Sequence, residues 1–142
     1  MGFDFQREFN DDSNEFDVEQ IKSRVYNLKD NIIIWKRIPY PTTYSVKIMS
    51  NQLIQLAKTF DFCYVIVDLS ESINRMDTEK RDMLRDMINS IPNVKEYIFV
   101  TGKNKLLHVM AKYVMKRTQH NKFEIVRTFE EGLGLIKIQI RK

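Results

Sequence analysis

The sequence predicts an α/β fold built on a mixed sheet of about five to six strands with about four helices. The strands at the N-terminal side are expected to be antiparallel and the later ones parallel. Three observations carry this reading. Short strand-like runs crowd together between residues 15 and 38. Amphipathic stretches then alternate with apolar runs to the end of the chain. Strands separated by helices must cross over, so those strands run parallel with right-handed connections.

Residues 1–14 read as a flexible arm and 15–142 as a single domain. Asp11, Asp12, Ser13 and Asn14 bury little, while Phe3, Phe5 and Phe9 suit the arm to docking. Three strands are expected next. "FDVEQIK" alternates Phe16 and Val18 against acidic neighbours, and "RVYNLK" sets Val25 opposite Tyr26 and Leu28. "NIIIWKRI" is β-branched and follows Asp30-Asn31, a good pair for a tight turn. These runs are read as antiparallel hairpins.

Pro39 and Pro41 stop the third strand, and Thr42 or Thr43 caps the helix that follows. Val46, Met49, Leu53, Leu56, Ala57 and Phe60 recur at helical spacing and form one apolar stripe. "CYVIVDL" is apolar on both faces, as a covered central strand requires. A second helix starts near Asp77 or Thr78, whose side-chain oxygens can accept from unpaired backbone N–H groups. Glu79 adds a favourable charge to its first turn. Met83, Leu84, Met87, Ile88 and Ile91 face inward; Lys80, Arg81, Asp82, Arg85 and Asp86 face water. Pro92 and Asn93 close the segment.

"EYIFVTG" is a buried strand that Gly102 breaks. "NKLLHVMAKYVMKRT" is a long helix with Leu107, Met110, Ala111 and Val114 inward. "KFEIVRTF" is another strand, and Thr128 and Glu131 form a capping box after it. Gly132 and Gly134 predict that this last helix is short, and "LIKIQIRK" then alternates as a strand or amphipathic tail does.

Composition narrows the function classes. The chain has 142 residues, 43% hydrophobic and 30% charged, as in an ordinary globule. A net charge of +4 is mildly basic, and the charges interleave along the helices, so no stripe for nucleic acid is expected. Cys63 is the only cysteine; it reads as a buried hydrophobe and fits a reducing compartment. No run has the length of a membrane span, and the polar, acidic start does not read as a signal peptide. Gln6 stands where myristoylation after Gly2 needs a hydroxyl residue. The expected location is the cytoplasm.

Chemistry-bearing motifs are sparse. "TGKN", residues 101–104, lacks the second glycine and the Lys-Ser/Thr ending of a phosphate loop, so it reads as a tight turn. His108 and His120 have no partners at metal-ligand spacing, and no metal or cofactor is expected. Ser70 and Asp68 are not surrounded by a nucleophile elbow. Asp68 does end a parallel strand at its carboxyl edge, where ligands of open α/β sheets gather.

The strand "YVIVDLS", the spacer "ESINR" and the helix opening "MDTEKRDML" resemble the STAS domain. The resemblance is to its divergent SpoIIAA-like branch, related to bacterial anti-sigma-factor antagonists. Element order agrees from about residue 15 to residue 137, as do "IFVTGKNKLLHVMAKYV" and "FEIVRTFEEGLGLI". Asp77 matches the family's aspartate and Thr78 its first serine. Glu79 falls where the phosphorylated serine stands, and Lys80 where a glycine stands. A fixed negative charge at Glu79 therefore resembles the phosphorylated state, and Thr78 is the nearby hydroxyl for phosphorylation.

The resemblance implies a non-enzymatic signalling module. Ser70, Asp77, Thr78, Glu79, Arg81, Gly102, Lys103 and Asn104 are the expected partner-binding surface. The partner would be a protein, such as a kinase-like anti-sigma factor or a signalling complex, and a homodimer is compatible. The alternative reading is a small-ligand or lipid-binding domain of the same fold, with a pocket lined by Trp35, Tyr44, Met49 and Leu53.

Overall fold

The computed structural model describes residues 18–38, 41–70, 77–118, 120 and 122–141. The arm at 1–14, Phe16, Pro39, Tyr40, the spacer at 71–75 and Met76 lie outside the described residues. Helix α1 (Val18–Lys22) leads into the hairpin of β1 (Val25–Lys29) and β2 (Ile32–Lys36). Then come α2 (Thr43–Ala57), β3 (Cys63–Asp68), α3 (Thr78–Asn89), β4 (Val94–Val100), α4 (Lys105–Lys116), β5 (Phe123–Val126) and α5 (Phe129–Arg141). Among the described residues the sheet has five strands in the order β1-β2-β3-β4-β5. β1 is antiparallel to β2, and every later pair is parallel. The expected α/β class and mixed sheet are observed.

That strand order dictates the layers. Each crossover steps one strand in the same direction and is right-handed, so all crossover helices fall on one face. Strand residues alternate between faces. Ile33, Trp35, Val65, Val67, Tyr97 and Phe99 join α1 to α4 in one buried cluster. Ile32, Ile34, Tyr64, Ile66, Ile98 and Val100 form a second cluster on the opposite face with Ile136, flanked by Phe129 and Leu133 of α5. Helix α5 does not connect two strands of the described sheet, and it packs on that opposite face.

Local signals place most element ends. Asp30 takes φ +47 in the two-residue turn between β1 and β2. This left-handed conformation suits Asp better than a branched residue. Thr42 caps α2 reciprocally with Ser45. Thr128 and Glu131 make the expected capping box, with Glu131 N donating to Thr128 Oγ1 at 3.2 Å and Thr128 N to Glu131 Oε1 at 3.1 Å. Cys63 is buried, and burial pushes its thiol up to about 11.

Two expectations are corrected. The described part of "FDVEQIK" is helix, Val18–Lys22, so among the described residues five helices and two antiparallel strands stand where about four helices and three such strands were expected. Ile21, at the end of that run, is fully buried while Val18, Glu19, Gln20 and Lys22 are exposed. One buried contact per helical turn suffices to hold so short a segment. The last helix is not short either: α5 runs unbroken from Phe129 to Arg141 and absorbs "LIKIQIR". Gly132 explains why. A Cβ there would stand 3.1 Å from Ile98 Cγ2, so glycine lets the helix press onto β4. That packing outweighs glycine's weak helix propensity.

Candidate functional site

The carboxyl ends of the parallel strands form one rim of the sheet. At β3, Asp68 Oδ1 accepts from Ser70 N at 2.9 Å and from Ser70 Oγ at 2.6 Å, which turns the chain directly after the strand. Leu69 N donates to Val100 O at 2.8 Å and ties this turn to the end of β4. Gly102 lies alongside: a Cβ built on it would be 3.9 Å from that of Ser70. Its φ of +64 is the left-handed conformation that glycine adopts without a steric penalty. Ser70, Gly102, Lys103 and Asn104 thus belong to two neighbouring turns.

The remaining predicted residues surround the first turn of α3. Asp77 is the N-cap, with Oδ1 accepting from Lys80 N at 2.9 Å and Oδ2 from Lys80 Nζ at 2.7 Å. Burial raises the Asp77 carboxyl, but the two bonds from Lys80 and the charges of Lys80 and Arg81 outweigh it. Its pKa therefore lies below the ordinary carboxylate value. Thr78 Oγ1 accepts from Arg81 Nη2 at 2.9 Å. Glu79 Oε1 accepts from Thr43 Oγ1, at the start of α2, at 3.1 Å. Asn104 caps α4 by accepting from Leu106 N at 2.9 Å and Leu107 N at 3.4 Å.

Sequence reasoning missed three features here. Thr43 holds Glu79 from another helix, a contact no local pattern reveals. Arg81 also reaches α4, where its Cζ lies 5.3 Å from the centre of the Tyr113 ring, and Arg117 lies 5.4 Å from the same ring. Arg81 therefore joins the first turn of α3 to the outside of α4. The third feature is α4 itself. Its charges do not interleave: it carries Lys105, Lys112 and Lys116 and no acidic residue. The signal was present in "KLLHVMAKYVMK".

The histidines and the pocket residues lie elsewhere. His108 is half-buried on α4. His120 Nε2 is 2.6 Å from Val94 O, and its Nδ1 accepts from Lys122 N at 3.2 Å. The ring packs edge-on against Tyr97 at 5.0 Å. Trp35, Met49 and Leu53 sit together in the helix-covered core, whereas Tyr44 stands 45% exposed on α2. Arg37, just beyond β2 at the same rim, is buried, and loss of hydration pushes its guanidinium down to about 10. It remains charged at neutral pH.

Among the described residues no group of three His, Cys, Asp or Glu side chains is placed to hold a metal ion. Nor is any of their helices long and apolar enough to cross a membrane. No family model, curated protein or solved structure matches the chain.

Proposed function

We propose that the chain is a non-enzymatic protein-interaction module of the STAS, SpoIIAA-like kind, working in the cytoplasm. It docks a signalling protein, such as a kinase-like anti-sigma factor, through the rim around the first turn of α3. One observation carries the reading most: Asp77, Thr78, Glu79 and Arg81 are held in a fixed arrangement at that helix N-terminus. Each makes a hydrogen bond to a neighbour in this turn or in α2. Asp77, Thr78 and Glu79 nevertheless stay exposed. Side chains held in place before binding lose less freedom when a partner arrives. Recognition would rest on shape and charge at the helix end.

Thr78 is the proposed phosphorylation site. A phosphate there would add negative charge at a helix N-terminus beside the Arg81 guanidinium, which already donates to the Thr78 hydroxyl. Mass spectrometry of protein from its native cell is expected to find phosphothreonine at Thr78; unmodified peptide throughout argues for the fixed charge at Glu79 as the functional state.

Affinity capture from native extract tests the surface. Glu79→Lys and Arg81→Glu are each expected to weaken recovery of the bound protein by about tenfold, the cost of roughly 1.4 kcal/mol. Tyr44→Ser, on α2, is expected to leave it unchanged. Equal recovery by all three variants would defeat the assignment.

A further inference from the structure

Helix α4 carries two apolar stripes. Leu107, Met110, Ala111, Val114 and Met115 are buried toward the sheet. Leu106, Val109 and Tyr113 lie on the outer side, yet they stay 65, 62 and 46% exposed. A helix packed on a sheet needs the first stripe; a second one gains nothing from water. Basic residues border the second stripe. At about 100° per residue, Lys112, Lys105, Lys116, Val109, Tyr113 and Leu106 follow one another around an arc of about 120°. Arg117, at the end of the helix, comes next in that order. The three apolar side chains therefore lie between a row of lysines and an arginine. These four basic residues are exposed, as is Lys103 in the turn before the helix.

Little opposes this charge. The sequence has no acidic residue between Glu96 and Glu124. On the neighbouring α3, Asp82 meets Arg85 at 3.3 Å and Arg117 at 3.5 Å, and Asp86 meets Arg85 at 3.1 Å. Among the described residues no salt bridge involves Lys105, Lys112 or Lys116.

The combination of apolar and basic groups discriminates between partners. A second copy would bring one basic face against another, and like charges repel. Nucleic acid would engage the lysines but leave Leu106 and Val109 against phosphates. Protein partners concentrate binding energy in pockets, whereas the outer side of a helix is a ridge. An anionic bilayer needs no pocket. Apolar side chains enter at its headgroup boundary, lysine stems reach back to the phosphates, and tyrosine sits at headgroup level.

We infer that the outer face of α4 docks the chain on the surface of an anionic lipid bilayer, without crossing it. Leu106, Val109 and Tyr113 enter the interface, and Lys105, Lys112, Lys116 and Arg117 meet the lipid phosphates. The inference is independent of the rim reading, because this face attracts anionic lipid whether or not the first turn of α3 docks a protein.

Sedimentation of the full chain with lipid vesicles tests it. Phosphatidylcholine vesicles containing about one third phosphatidylserine should carry the chain down at about 0.1 M salt. Vesicles of phosphatidylcholine alone should not. Salt at about 1 M, where charges are screened beyond about 3 Å, should release most of the chain. Lys112→Gln should weaken partitioning roughly fivefold, and Lys112→Gln with Lys116→Gln roughly 25-fold. Val109→Asp should weaken it at least as much as the single lysine change. Tyr26→Ser, at an exposed position on β1, should leave it unchanged. No sedimentation with the phosphatidylserine vesicles, equal sedimentation with both kinds, or equal loss in Val109→Asp and Tyr26→Ser overturns the inference. So does a dimer in analytical ultracentrifugation that Val109→Asp dissociates, which would give the face to a second copy. Absent vesicle binding with capture of a protein that Val109→Asp loses would overturn it in favour of a protein partner.

Discussion

Helices α3 and α4 have equal length, pack side by side on one face of the sheet and start at the same rim, yet they present opposite surfaces to water. Most charges of α3 pair with one another. Asp77 meets Lys80 at 2.7 Å, and Arg85 meets Asp82 at 3.3 Å and Asp86 at 3.1 Å. Such exposed pairs add little stability, but they leave the face close to neutral. Helix α4 has no acid of its own and shows three large apolar side chains. The inward stripes are alike because the sheet demands apolar contact from both. The outward faces differ because packing places no demand on them, so their composition reflects what each face meets.

The largest test of that comparison is at the inward stripes. Leu84→Ala on α3 and Leu107→Ala on α4 should each cost about 2–4 kcal/mol in chemical denaturation, since both remove buried methyl groups. A much smaller loss at Leu107 would mean that α4 is loosely seated, and its exposed stripe would then need another explanation.

The approach to α4 comes next. Gly102→Ala should cost about 1–2 kcal/mol, because alanine resists the left-handed backbone that Gly102 adopts at φ +64.

The caps are expected to matter less, and to differ in their response to pH. Asp77→Ala and Asn104→Ala should each lose about 1 kcal/mol at neutral pH. The folded-state pKa of Asp77 is depressed, so its stabilisation is fully present above the unfolded value of about 3.9. It fades as pH falls through the lower folded value. The gap between wild type and Asp77→Ala should therefore close in acid, whereas the Asn104→Ala gap has no titrating group of its own to close it. Denaturation series at neutral and strongly acid pH read both.

The smallest effects belong to the outward faces. Arg85→Ala on α3 and Val109→Asp on α4 should each change stability by under about 0.5 kcal/mol. A larger loss at Val109 would show that its exposed side chain contributes to folding.

The sequence was legible wherever a feature depends on residues three or four apart. Asp77 as a cap, the Thr128–Glu131 box and the inward stripe of α4 are of this kind, as is the Asp30–Asn31 turn. It misled where the period was ambiguous. "LIKIQIR" alternates like a strand, but the capping box before it and the close approach of Gly132 to Ile98 make it helix. Val18 to Lys22 is too short to show any period reliably. The turns after β3 and β4 lie at the strand ends, as parallel pairing requires, but the partners of the side chains near them were not legible in the sequence. Thr43 and Glu79 are 36 residues apart, and no local rule pairs them.

By itself, then, the amino-acid order settled where most elements begin and which side of each long helix turns inward, because caps, turns and apolar stripes act over a single helical turn. The fold alone decided that α2, α3 and α4 share one face while α5 covers the other, since that follows from strand order combined with crossover handedness. It also decided that Glu79 leans on Thr43 and that Arg81 spans to Tyr113. Contacts of that kind exist only after the sheet has brought distant segments side by side.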